Sequence, residues 1–492
     1  MGLSRNKIAL IATLATAWPS LASPQASGGG LGYQQGLPPQ TATGVAAQGT
    51  QAQAAGAAQG GGGLQFDFGI DTSLRADDNF QLTPNSQGNS FIWDTRLNFG
   101  LTSTTPSSSF SLTGSGVLRF ADLPGRTPAG FEDPNVRLRY TIDRKDTRLS
   151  LDARYRHADR EFLNPFQVEQ EEQNSGGLVS DGGTVTFINA GVRFETGVSA
   201  PFGLTFSARH DDKNYTNSTN PRLFDTTSDT AGVTARFDVS PVTQVTANAQ
   251  KTWYSANDAA QTDRETIDLS VGLRQDINPA LVLNASLGHT QIDTIKSGTP
   301  STRSGLTGQV GLTQTFANGT VGVSLSTSQT VNGARSTLQF SRSLTLPRGT
   351  LSTSLGLTHS QSGSTDWIGR VAYSYQLASS NFNASLSRGS NTNNSDEDVI
   401  DTRIALGYSY DIDNVSRVNL TLNYGLSDDG GAGASPRVER TTFDAAYSRS
   451  LTADWNLRGG ITIRHLEDSS ASGPAHSNAV FLSLNRNFSF RP

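Results

Sequence analysis

The chain has no cysteine, one methionine and few lysines beside its arginines. No apolar run after the first two dozen residues approaches the roughly 20 residues that a helix needs to cross a bilayer. Only 35% of the 492 residues are hydrophobic, too few for the thick core expected of a soluble protein this long. The lack of cysteine excludes a disulfide framework and a lipid anchor on a thiol, and it suits an exported chain. A net charge of −5 leaves no basic footprint for nucleic acid.

What is present is unlike a disordered chain. Twenty-three Phe, 11 Tyr and 5 Trp are spread along a background of Ser, Thr, Asn and 50 Gly. A transmembrane barrel with a wide interior reconciles these facts, because its inner face meets water and its outer face lipid. At the amino end, "MGLSRNK" is basic, "IALIATLATAW" apolar, and "PSLAS" carries the small residues of a cleavage site. Residues 1–22 are therefore predicted to be a secretory signal peptide. Residues 23–63 ("GVAAQGTQAQAAGAAQGGGG" within them) read as a low-complexity Gly/Ala/Gln-rich periplasmic tail.

Residues 64–492 read as the barrel. Alternating runs recur about every 20 residues, among them "LQFDFGIDTSL", "VRLRYTI", "GTVGVSLSTS", "TRIALGYSY" and "NAVFLSLNRNFSF". Short connections with turn chemistry ("DRKD", "SPV", "NPA", "ANG", "LPRG", "DIDN") separate them from one side. Long polar ones ("ADDNFQLTPNSQGN", "REFLNPFQVEQEEQNSGGLVSDGG", "RGSNTNNSDEDVID") separate them from the other. Long and short are expected to alternate along the whole chain. The prediction is an all-β, antiparallel, up-and-down transmembrane barrel of about 22 strands (range 18–24), with both termini in the periplasm. A solenoid would show one repeat with equal turns, and a fibre former would repeat its sequence.

Lipid-facing aromatics should gather beside the short turns. The expected periplasmic girdle is Phe99, Phe110, Phe194, Phe202, Phe316, Tyr373, Tyr375, Phe382, Tyr408, Tyr410, Tyr447, Trp455, Phe488 and Phe490. The closing "SLNRNFSFRP" resembles the last strand of Gram-negative outer-membrane β-barrel proteins, which is similar to the signal read by the barrel-assembly machinery. It departs from them in that Arg491 and Pro492 follow the final aromatic. "LRADDNFQLTP" resembles the opening of the uncharacterised β-barrel porin families. The resemblance implies an outer-membrane barrel bathed in lipid and lipopolysaccharide, with no established substrate.

Enzyme chemistry is not indicated. His157, His210, His289, His359, His465 and His476 show no metal spacing and no adjacent serine motif, so no catalytic residue, cofactor or metal is expected. The Asn/Asp runs "NTNNSDEDVID" and "YTNSTNPRLFDTTSD" offer oxygen ligands for a divalent cation, but read more simply as solvated loops.

The parity opposite the apolar residues places fourteen arginines on the pore wall: Arg96, Arg119, Arg137, Arg139, Arg154, Arg156, Arg193, Arg209, Arg236, Arg274, Arg370, Arg403, Arg458 and Arg464. Asp94, Asp152, Glu195, Asp238 and Asp268 are the acids read on that face. The third long loop carries Glu161, Glu169, Glu171, Glu172 and Asp181, and it resembles the inward-folded constriction loop of trimeric porins. The function expected is a porin-like channel or an export conduit for small polar solutes or polysaccharide, with a preference for anions. The alternative is a structural or adhesive barrel with a closed lumen, acting through its external loops. A TonB-dependent transporter would carry a folded plug before its first strand, where only the tail to Gly63 stands.

Overall fold

The computed structural model describes residues 63–166, 168, 182–218, 220–361, 363–393, 396–429 and 437–491. The signal peptide, all but the last residue of the tail, and Glu169, Glu171, Glu172 and Asp181 lie outside the described residues.

Alternation of apolar and polar side chains along each run dictates extended chain with two unlike faces. Every run forms a strand. In chain order they are β1 (Gly63–Asp77), β2 (Ser90–Thr105), β3 (Ser108–Asp122), β4 (Ala129–Asp143), β5 (Thr147–Asp159) and β6 (Thr184–Thr196). Next come β7 (Phe202–Thr216), β8 (Thr226–Ser240), β9 (Thr243–Ala256), β10 (Asp263–Asn278) and β11 (Leu281–Lys296). Then follow β12 (Thr299–Phe316), β13 (Gly319–Thr330), β14 (Gly333–Leu346), β15 (Gly349–Ser360) and β16 (Thr365–Gln376). The last are β17 (Ser380–Thr392), β18 (Asp398–Asp411), β19 (Ser416–Asp429), β20 (Val438–Ser450), β21 (Trp455–Asp468) and β22 (Ala475–Phe490). Each strand pairs antiparallel with its sequence neighbours, and β1 pairs with β22 from Phe66↔Phe490 to Asp77↔Ala479. The 22-stranded sheet is thereby closed and has no edge.

One rim of the barrel, here the turn rim, holds the connections 106–107, 144–146, 197–201, 241–242, 279–280, 317–318, 347–348, 377–379, 412–415 and 451–454. Proline and Asx geometry make these turns tight. In 412–415 the Val415 N–H donates to Asp413 Oδ1 (2.8 Å) and holds that carboxyl below the usual carboxylate range. The start of β1 and the end of β22 lie at this same rim.

The opposite rim, the loop rim, carries the longer connections, but the expected alternation fails on one side. β11–β12 is joined by Ser297 and Gly298 alone, and β13–β14 by 331–332. Ser297 and Gly298 both have positive φ (49° and 77°), the twist-matched geometry of a two-residue hairpin. Here the strands simply run on into a tight hairpin, and no long loop is needed.

Among the described residues there is no central core. Buried apolar side chains gather at the loop rim in two clusters, Phe80, Ile92, Ala121 and Leu123 in one, and Leu82, Val438, Leu466 and Ala475 in the other. Among the described residues no helix is long and apolar enough to cross a membrane.

Candidate site on the interior wall

Residues paired across an antiparallel ladder point to the same face, so the register sorts every side chain. One face carries exposed apolar groups around the ring, such as Leu74, Phe91, Trp93, Phe120, Leu287, Leu306, Phe340, Leu355, Val480 and Leu482. The other face is polar and looks inward. Arg264 on β10 reaches Asp396 of the β17–β18 loop (2.7 Å), and Arg335 on β14 reaches Asp398 (2.7 Å). Contacts between elements so far apart around the ring pass through the interior.

All fourteen arginines have the parity of that polar face. Most meet carboxylates. Arg119 donates to Asp94 through Nε (2.8 Å) and Nη2 (2.7 Å), and Arg156 holds buried Asp133 (2.7 Å), which Arg96 approaches at 3.8 Å. Arg193 pairs with Glu195 (2.6 Å), Arg209 with Asp211 (2.5 Å), Arg274 with Asp276 (3.2 Å) and Arg464 with Asp77 (2.8 Å). Arg236 pairs with Asp238 (3.1 Å), and its Nη2 also donates to the carbonyls of Gly197, Val198 and Ala200, fastening the β6–β7 turn. Arg458 lies over the inward ring of Phe481 at 5.4 Å. Arg137, Arg139 and Arg154 sit on β4 and β5, while Arg370 and Arg403 stand on β16 and β18.

The acid count on this face needs correction. Besides Asp94, Asp152, Glu195, Asp238 and Asp268, the register turns Asp67, Asp71, Asp77, Glu132, Asp143, Asp211, Asp276, Asp366, Asp401, Asp411, Asp444 and Asp468 inward, and the contacts with Arg96 and Arg156 place Asp133 there. Register shifts beside Asp133, between Ser115 and Val117, and at Asp276 change the parity locally. Lys213, Lys296, Arg75, Arg148, Arg264, Arg303, Arg335, Arg417 and Arg440 also belong to the inward set. Cations still exceed acids, by less than fourteen to five.

Loops lie against this wall at the loop rim. From the β5–β6 loop, Glu161 pairs with Arg126 of the β3–β4 loop rather than with a wall arginine. Its neighbour Phe162 meets the wall instead, with the Arg119 guanidinium 3.5 Å from the ring centroid and the Phe80 ring at 5.0 Å. Phe166 packs on Leu82, Val438, Leu466 and Ala475, which brings the loop toward the β1–β22 seam. On the far side, Asp396 accepts from Arg264 and Lys296 (2.5 Å), and Asn332 donates to Asp398 (3.1 Å). Asp396 and Asp398, two of the carboxylates in the run read as offering ligands to a cation, are thus occupied by the chain's own arginines and lysine. Asp225, from the other Asn/Asp run, accepts from the Tyr215 N–H (2.7 Å).

The aromatic girdle residues all lie on the apolar face, and most stand within a few residues of the turn rim. Phe68 and Phe488 pair at 6.2 Å across the seam, Phe202 and Phe237 at 4.9 Å, and Tyr373 stacks on Tyr375 at 6.1 Å. Phe99 is the exception. It sits toward mid-strand, and its ring lies across Gly114, where a Cβ would collide with it. The girdle is also not confined to one rim, because Phe91, Trp93, Phe120, Phe131, Trp253 and Trp367 are exposed on the apolar face toward the loop rim. Outward cations lie against aromatics at both levels, Arg388 over Trp367 (4.8 Å) and Arg486 over Phe488 (4.4 Å).

Of the six histidines, the fold brings His465 and His476 together as register partners, with Nδ1 atoms 3.2 Å apart on the apolar face. His157 contacts Thr186 (2.8 Å), His210 contacts Asp229 (2.7 Å), and His359 contacts Thr365 (2.8 Å). Among the described residues no three potential ligands gather into a metal site.

No family model matches the chain, and no curated protein matches it. Solved structures do. The ferric-catecholate import receptor Fiu of E. coli K12 superposes with a TM-score of 0.57 at 11% identity, covering 85% of this chain and 81% of that one. The FrpB iron transporter of Neisseria meningitidis gives 0.57 at 9% identity, covering 86% and 81%. The copper transporter OprC gives 0.53 at 12% identity, covering 86% and 80%. At these identities the likeness is one of fold.

Proposed function

We propose that the chain is a Gram-negative outer-membrane barrel that passes polar solutes, with a preference for anions. The observation that carries this reading is the division of faces: a continuous apolar belt outside and an arginine-rich wall inside one closed sheet. Lipid and lipopolysaccharide would cover the belt. The turn rim and both ends of the barrel would face the periplasm, residues 1–22 would direct export, and 23–63 would form the tail. Phe488 and Phe490 would present the closing strand to the barrel-assembly machinery. The fold likeness to outer-membrane import receptors and transporters supports transport in general, and no ligand is carried over from them.

The test is reconstitution into planar bilayers across a salt gradient. Chloride is expected to cross more readily than potassium, because confined wall charge is screened less than charge on an open surface. A cation preference would overturn the wall assignment. The loops anchored by Phe162, Phe166, Asp396 and Asp398 favour the second reading, a closed structural or adhesive barrel, and an absence of conductance steps under every condition would select it.

A further inference from the structure

Two histidines that stand 11 positions apart in the chain meet on the outer face of the barrel. His465 on β21 and His476 on β22 are direct register partners near the loop rim. Their Nδ1 atoms lie 3.2 Å apart and their ring centroids 4.6 Å apart. Two nitrogens bound at about 2.0–2.1 Å to one metal ion stand about 2.8–3.4 Å apart, as the angle between them runs from square-planar to tetrahedral. The spacing of the pair already matches that of two ligands of one ion. By register His157 faces Thr186, His210 faces Asp229, His289 faces Leu269 and His359 faces Thr365, so none of these has a second imidazole opposite.

The surroundings suit a cation arriving from outside the barrel. One row toward mid-strand Ile463 faces Asn478, and the next outward row sets Ile461 against Val480 in the apolar belt. The histidines therefore stand at the edge of the belt nearest the loop rim, where His476 is exposed and His465 half-buried. On β20 the partner of His465 is the uncharged Thr441. Glu467 lies two residues along β21 on the same face, opposite Glu439, and Arg437 is engaged by Glu439 (3.1 Å). On the other side the Asp78 carboxylate accepts from Asn478 Nδ2 (2.9 Å). Acids thus outnumber cations around the pair. A neutral imidazole can carry its proton on Nε2, so both Nδ1 lone pairs can be offered at once without a change of charge.

We propose that His465 and His476 form a two-imidazole clamp for a divalent transition-metal ion, Cu2+ in preference to Zn2+, on the outer surface near the loop rim. Imidazole nitrogen suits these ions and not Mg2+ or Ca2+, which take oxygen ligands, and Cu2+ stands above Zn2+ in general affinity. Two protein ligands are fewer than a resident structural metal has, so water fills the remaining positions and the ion exchanges with the medium. A bound ion joins β21 to β22 and ties the closing strand to its neighbour. The clamp is independent of what passes through the lumen.

The experiment titrates copper(II) chloride into the whole folded protein, purified in detergent without a polyhistidine tag, and follows binding by calorimetry. One saturable Cu2+ per chain is expected, with Zn2+ binding more weakly and excess Mg2+ displacing neither. His465→Gln and His476→Gln should each weaken Cu2+ at least roughly tenfold, since loss of a ligand costs no less than loss of a group behind it. His210→Gln, which removes a histidine paired with a carboxylate instead of an imidazole, should leave binding unchanged. Retained heat-modifiable migration confirms that each variant is folded. Electron paramagnetic resonance of the bound Cu2+ should show splitting from two imidazole nitrogens in the parent and from one in either His465→Gln or His476→Gln. Absence of saturable Cu2+ binding leaves the two rings as a hydrogen-bonded pair and overturns the clamp. So does binding that survives both substitutions, an equal loss in His210→Gln, or displacement by Mg2+.

Discussion

Two arcs of the same barrel solve the problem of a wet interior differently. Across β2–β8 the inner wall is built from arginines and carboxylates, with Asp133 buried between Arg96 and Arg156 and the β5–β6 loop laid onto Arg119 through Phe162. Below the Arg335–Asp398 pair at the loop rim, the inner wall across β13–β15 is mainly Thr320, Gly322, Ser324, Ser326, Thr337, Ser341, Ser352, Ser354, Gly356 and Thr358. The connection between β13 and β14 has shrunk to two residues. In the hydroxyl arc the backbone ladder carries the structure, and side chains add light contacts such as Thr337 to Thr358 (3.2 Å). In the charged arc much of the stability is concentrated in a few desolvated ions that depend on one another. The hydroxyl arc is a spacer that tolerates change. The charged arc is where selectivity and fragility coincide.

The sharpest way to break this comparison is to remove one carboxylate from the charged arc. Asp133→Ala removes a buried carboxylate from the Arg156 guanidinium, whose side chain is 9% exposed, and should cost about 3–5 kcal/mol. Thr358→Val in the hydroxyl arc, at similar burial, should cost only about 1 kcal/mol, with both read from urea unfolding midpoints in one lipid. Equal costs would dissolve the distinction. A smaller effect is expected from Phe162→Ala, which removes the ring from Arg119 and Phe80. A loss of about 2 kcal/mol in loop docking should speed cleavage after Glu161 by a glutamate-specific protease, with the barrel itself intact. The smallest effect on stability should follow Ser324→Arg. Its folding free energy should stay within about 0.5 kcal/mol of the parent, while reversal potentials move further toward chloride, because a new wall charge tunes selectivity more than stability.

The strand number, the two faces and the tight turns were legible because each has a local signal. Period-two alternation marks strands, and residues such as Pro279 and Pro347 mark the turns between them. What was not legible has no period. Asp396 meets Arg264 across 132 positions of chain, and nothing in "NTNNSDEDVID" distinguishes an inward ion-pairing loop from a solvated one. Some wall acids escaped notice where parity is locally unreliable, as at Asp133 and Asp276 beside register shifts, or in the Asp211–Asp212 doublet where either residue could face inward, whereas Asp67, Asp71, Asp366, Asp401 and Asp444 stand in regular alternation and were legible. The missing long loop between β11 and β12 did have a signal. Ser297-Gly298 is a hairpin dipeptide, and reading it as one would have replaced the expected alternation with a two-residue turn. Phe162 was passed over for the acids around it, although an aromatic in a polar loop is the residue that has most to gain from docking.

The pairing of β1 with β22 also sets the order in which the protein can be finished. Gln65 Nε2 donates to Ser489 Oγ (3.2 Å) across 424 positions, so the contact that closes the ring is among the most distant along the chain. Strands β2 to β21 find both partners within one turn or loop, whereas β1 has β2 on one side and must wait for β22 on the other. Until then two unpaired strand edges are exposed, each able to capture another chain. The entropy of closing so long a span grows only logarithmically with its length, but distant pairings form slowly. Biogenesis, more than equilibrium, therefore hangs on this seam: the first strand of the barrel to leave the ribosome is the last to be fully hydrogen-bonded, and whatever escorts the chain must shelter that edge for the whole interval.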